Sequence, residues 1–96
     1  MNEMLTDTKT LVQDNRIMIY PNPTISEFKL SLEKPIDGLL TLNLTDYSGK
    51  TISQQQIHGE FESHLYDVSN FSSGIYFLQI YDDNQQLLGV RKVVKL

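Results

Sequence analysis

Two short stretches of strict alternation constrain this chain more than any other feature. Phe28, Leu30 and Leu32 share one face while Lys29, Ser31 and Glu33 take the other, and Leu40, Leu42 and Leu44 alternate in the same way with Thr41, Asn43 and Thr45. A period of two is the geometry of a strand with one face buried, because successive Cβ atoms point to opposite sides of a sheet. From Ile75 to Tyr81 both sets of side chains are apolar, which places that strand centrally in its sheet. Glycines at 38, 49, 59, 74 and 89 punctuate the apolar runs. The pattern predicts strands over 17–20, 27–33, 38–46, 51–57, 62–68, 74–82 and 87–95, with no helix of consequence, in an antiparallel sandwich or barrel.

Composition agrees with this reading and removes several functions. The 96 residues allow one domain, and the chain contains no alanine, the best helix former. Without cysteine there is no disulfide framework, thiolate metal site or cysteine nucleophile. No apolar run approaches the ~18 residues that a membrane-spanning helix needs, so no integral membrane segment is expected. Met1–Thr10 has neither the basic nor the apolar region of a signal peptide. The net charge of −4 argues against a nucleic-acid partner. That charge is uneven. Through residue 90 there are five basic against twelve acidic side chains, whereas Arg91-Lys92-Val93-Val94-Lys95-Leu96 carries three basic residues and no acid. Such a strand is either an edge protected against aggregation by its lysines or a basic, apolar tag held out for a receptor.

The connections carry recognisable turn chemistry. Asp46-Tyr47-Ser48-Gly49-Lys50 supplies Asp and Ser to bind backbone amides and Gly for a positive φ. His58-Gly59-Glu60 and Asp82-Asp83-Asn84 are further turn signals. In Asn70-Phe71-Ser72-Ser73-Gly74, Phe71 is expected to plug one end of the core. Pro21-Asn22-Pro23 lacks two backbone donors and must end the first strand or cross between sheets. Residues 1–16 form a polar arm in which Leu11 and Val12 could add a short edge strand.

Catalytic chemistry finds no support. His58 and His64 are the only side chains titrating near neutrality without a large shift, and their spacing of six matches no helical metal pair. The Asp82-Asp83-Asn84 cluster lacks the spaced acids and glycine of a calcium loop. Ser72-Ser73-Gly74 is no nucleophile elbow, and neither a dinucleotide fingerprint nor a phosphate loop occurs. The chain is therefore expected to be no enzyme and to hold no cofactor or metal. Tyr20, Tyr47, Tyr66, Tyr76 and Tyr81 either fill the core and rim or offer stacking to a sugar, which keeps a retained carbohydrate-binding or adhesive module as the alternative.

Four segments in order resemble one family. Ile19-Tyr20-Pro21-Asn22-Pro23-Thr24 followed by Phe28 resembles its opening YPNP motif, and Leu44–Lys50 its middle segment. Val68-Ser69-Asn70-Phe71-Ser72-Ser73-Gly74-Ile75-Tyr76-Phe77-Leu78 is similar to its L-x-x-G-I-Y-x-L signature, and Lys92-Val93-Val94-Lys95 to its closing K-[LIV]-V-[KV]. The family is the type A C-terminal sorting domain of the type IX secretion system, and the likeness covers residues 17–96. It implies an Ig-like antiparallel β-sandwich of about seven strands at the end of a larger secreted protein. It also implies passage through the periplasm, export by the outer-membrane translocon with its shuttle and sortase proteins, and removal by a sortase-like peptidase cutting within the arm. The cargo is then released or attached to the cell surface. Tyr20, Pro21, Asn22, Pro23, Gly49, Gly74, Ile75 and Tyr76 are expected to be structural motif residues, while Lys92, Val93, Val94, Lys95 and Leu96 are expected to be read by the translocon. Where many members have glycine after PNP, this chain has Ile25-Ser26, and Ser26 is expected to help close the turn. Unpaired edge strands at the termini would permit a weak homodimer.

Overall fold

The computed structural model describes residues 16–61 and 63–96. Seven strands follow in order: β1 (Ile17–Tyr20), β2 (Glu27–Leu32), β3 (Leu39–Asp46), β4 (Thr51–His58), β5 (Ser63–Asp67), β6 (Gly74–Tyr81) and β7 (Leu87–Lys95). Each predicted strand is present, with ends moved by a residue or so. Leu11 and Val12 lie outside the described residues.

The strands form two antiparallel sheets, one of three strands in the order β1-β2-β5 and one of four in the order β4-β3-β6-β7. The three-plus-four arrangement, with β2 to β3, β4 to β5 and β5 to β6 crossing between layers, makes an Ig-like sandwich. Both alternating stretches point inward as their period requires: Phe28, Leu30 and Leu32 from one sheet meet Leu40, Leu42 and Leu44 from the other. Leu78, Ile80, Tyr76 and Val93 complete the second sheet's inner face, and Tyr66 and Ile17 the first's. The β6 strand, apolar on both sides, does lie between β3 and β7. Phe71 packs partly buried against the core, with its ring 6.1 Å from that of Tyr76.

Two hairpins show how local chemistry sets register. In the β3–β4 turn, Asp46 Oδ1 accepts hydrogen bonds from Ser48 N, Ser48 Oγ and Lys50 N at 2.9, 2.7 and 3.0 Å, and Gly49 adopts φ 94°. The Ser48 hydroxyl and the two amides stabilise the charged carboxylate and lower the Asp46 pKa below the usual value. The stability from this contact is therefore present above the ordinary carboxylate pKa and is lost as pH falls through the lowered one. The β6–β7 turn repeats the design, with Asp82 Oδ1 accepting from Asn84 N and Gln86 N at 2.8 and 2.9 Å. Here, however, the left-handed position belongs to Gln85, at φ 65°. Gln85→Gly is accordingly expected to stabilise the domain by about 0.5–1 kcal/mol in chemical denaturation, since only glycine takes that conformation without a Cβ clash. A destabilised Gln85→Gly protein would refute this.

Candidate functional site

The outer edge of β7 is where the opening and closing motifs meet. Strand β1 stops at Tyr20 because Pro21 and Pro23 offer no amide to a ladder, and the Tyr20–Pro21 and Asn22–Pro23 peptide bonds are both cis. The chain then crosses from the three-stranded sheet to the four-stranded one and lies along β7. Asn22 clamps the strand with both ends of its amide: Nδ2 donates to Lys92 O at 2.7 Å, and Oδ1 accepts from Val94 N at 2.9 Å. Thr24 continues the pairing as a parallel bridge to Lys95, with Thr24 N donating to Val94 O at 2.8 Å and Leu96 N donating to Thr24 O at 2.9 Å. On the same side of the sandwich, Arg91 Nε donates to Ile17 O at 3.0 Å and ties β7 to β1.

Three expectations change here. The C-terminal segment is not held out as a tag, since it forms the end of β7 and pairs with β6 from Gly74↔Lys95 through Phe77↔Lys92. Nor is its far edge open, because Lys92 O, Val94 N, Val94 O and Leu96 N are taken by Asn22 and Thr24. The turn after PNP is closed by Thr24, not by the Ser26 side chain. Thr24 is 1% exposed and its Oγ1 donates to Glu27 O at 2.5 Å, while Ser26 contributes its carbonyl to Val68 N. Truncating the Asn22 amide removes two hydrogen bonds from a strand edge. Asn22→Ala is expected to cost about 1–2 kcal/mol and to speed hydrogen exchange at Val94 N most of all. Unchanged exchange at Val94 would refute the clamp.

Strand alternation divides the closing motif. Val93 is fully buried opposite Tyr76, so it belongs to the core. Lys92 and Val94 point the other way, onto the outer face of the four-stranded sheet, where they stand opposite Phe77 and Ile75. Lys95 sits opposite Gly74 with its Nζ 3.2 Å from the carbonyl of Leu96, and Leu96 is largely exposed. Of the motif residues expected to be structural, Gly49 makes the β3–β4 turn and Gly74 opens β6. The buried Tyr76 donates its hydroxyl to Ser72 O at 2.6 Å, the tyrosine corner that pins the β5–β6 crossover in Ig-like sandwiches. Ile75 and Tyr20 remain exposed.

The other candidates are drawn into structure. His64 Nε2 meets Gln55 Oε1 at 3.0 Å and the ring tilts against Phe61 at 6.0 Å; burial holds its pKa below the usual value. Asp82 is spent on its turn, and no group of three or more potential metal-binding side chains occurs among the described residues. Tyr66 and Tyr76 are core residues, so the five tyrosines form no shared platform. Thr24 and Arg91 are the residues that sequence reasoning missed. A buried threonine and a mid-strand arginine carry no local signal, because their partners lie far along the chain.

These features define a two-layer Ig-like sandwich whose last strand is sewn to the proline segment that follows the first. The sequence profile of the family described as the secretion system C-terminal sorting domain matches residues 18–95. The chain belongs to that family, and it carries a C-terminal sorting signal for type IX secretion, directing export across the outer membrane to the cell surface or the extracellular space. It is not a family of enzymes. In comparisons with curated proteins and with solved structures, nothing matches. No helix among the described residues is long and apolar enough to cross a membrane.

Proposed function

We propose that this domain is a folded export signal, following a cargo domain, that passes through the periplasm and is recognised at the outer membrane by the type IX translocon and its shuttle and sortase proteins. A sortase-like peptidase then cuts within residues 1–16 and frees the cargo. The observation that carries the reading is the joining of the two motif ends, Tyr20–Thr24 and Lys92–Leu96, into one hydrogen-bonded edge. A signal built this way is legible only in the folded domain, and the cut site precedes the first strand.

The test keeps the domain whole, because removing Lys92–Leu96 would also remove the core residue Val93 and the partners of Asn22 and Thr24. Residues 1–96 are fused behind a signal peptide and a fluorescent reporter in a host with the secretion system. Export of the reporter, lost in a translocon mutant, is the expected result, and mass spectrometry of the released reporter should end within residues 1–16. Periplasmic retention would overturn the sorting role, and glycan binding by the purified domain would then favour a carbohydrate-binding module.

A further inference from the structure

The outer face of the four-stranded sheet has an unusual charge distribution for this chain. Its rows run Gln56–Thr41–Tyr81, Gln54–Asn43–Gln79–Val90, Thr45–Phe77–Lys92 and Ile75–Val94. None of the acidic residues among those described lies on it. Glu27 and Asp67 are on the other sheet, and Glu33, Asp37, Asp46, Glu60, Asp82 and Asp83 occupy turns and strand ends. Lys92 is the face's one lysine or arginine, exposed and without an ion pair among the described residues. Its cross-strand neighbour is Phe77, Ile75 and Gln79 stand diagonally across from it, and Val90 and Val94 flank it on its own strand.

An exposed lysine on an edge strand ordinarily guards against strand addition. That duty is already discharged at this place. Four of the outward backbone groups between Lys92 and Leu96, namely Lys92 O, Val94 N, Val94 O and Leu96 N, are occupied by Asn22 and Thr24, so the proline segment already fills the place a further strand would take. The Lys92 charge is thus free for another role, and a partner reaching this region meets side chains on the sheet face. A single cation within a mostly apolar rim, on a domain with a net negative charge, is complementary to a carboxylate held in an apolar surround.

We infer that Lys92, Val94, Ile75 and Phe77 form the docking surface of the domain, and that its occupant is a protein presenting an Asp or Glu side chain among apolar groups. This rests on the sorting role proposed above and gives that role its contact surface. The two family signatures, one around Gly74–Leu78 and one at Lys92–Lys95, become adjacent strands of one patch. Binding proceeds by face-to-face packing, with no strand added to β7.

The experiment uses the full-length secreted protein in its own host and compares exported with retained cargo. Lys92→Glu is expected to lower export roughly tenfold, because it places like charges together at the contact, and Lys92→Arg less than about twofold. Lys95→Glu, on the opposite side of the strand, is expected to change export less than about twofold. Resistance of the full chain to limited proteolysis checks folding. Should Lys92→Glu lose that resistance, Lys92→Gln replaces it, with about a threefold loss expected. Normal export of the folded Lys92 variants, with wild-type export still dependent on the translocon, would overturn the docking surface and leave the sorting role intact. Wild-type export that persists in a translocon mutant would instead remove the sorting role. A wild-type dimer that Lys92→Glu converts to monomer, by light scattering, would show the occupant to be a second copy and overturn the partner assigned here.

Discussion

Phe28→Ala is expected to lower the melting temperature by roughly 15–30 °C, because it removes about 3–5 kcal/mol from a domain whose whole stability is of order 5–15 kcal/mol. The Phe28 ring is fully buried and stacks on Tyr66, with centroids 5.2 Å apart and an interplanar angle of 4°. These are the two largest side chains that are wholly enclosed, and they come from adjacent strands of the three-stranded sheet. Loss of the ring leaves a cavity between layers that hydrogen-bonded strands cannot close, and forfeits the aromatic pairing as well. The damage spreads to the opposite sheet, since the Tyr66 hydroxyl is hydrogen-bonded to Ser53 Oγ on β4. Calorimetry or a circular-dichroism melt decides the matter; a fall under about 5 °C would mean that the core repacks far more freely than its interlocked strands allow.

Gly59→Ala is expected to cost about 2–4 kcal/mol, a loss in the range produced by backbone clashes and broken buried hydrogen bonds. A Cβ built on Gly59 would stand 2.1 Å from Ile36 O and 3.0 Å from Ile36 C. Neither atom belongs to a flexible side chain, so the β2–β3 and β4–β5 connections would have to separate. Separation breaks Ile36 N to Gly59 O and Gly59 N to Gly38 O, both 2.9 Å. Gly49→Ala provides the contrast. Its Cβ meets nothing within 4 Å, and only the φ of 94° opposes it, so about 1 kcal/mol is expected. Urea denaturation of the two variants should rank them in that order. An equal loss at both sites would show that close approach at Gly59 matters no more than a positive φ at Gly49.

Much of the fold is legible in the chain because the relevant forces are local. Alternation over Phe28–Leu32 and Leu40–Leu44 requires half-buried strands, and Asp46-x-Ser-Gly-Lys requires a tight turn whatever surrounds it. The same local logic fails for Gln85, where the turn carries its strain without glycine and composition offers no warning. The closing motif is partly legible. Period two alone separates Val93 from Lys92 and Val94, but it does not say which set faces the core.

What the sequence determined by itself was the number of strands, their places, the turns between them and the likeness to a family of export signals. These follow from residue type and spacing along a few neighbouring positions. The tertiary structure alone decided that Asn22 and Thr24 close the edge of β7, that Val93 is core and Lys92 surface, and that Ile75, Phe77, Lys92 and Val94 share a patch. Asn22 and Val94 are 72 residues apart. A contact of that span depends on how two sheets stack and cross, a collective outcome of packing that no local pattern encodes.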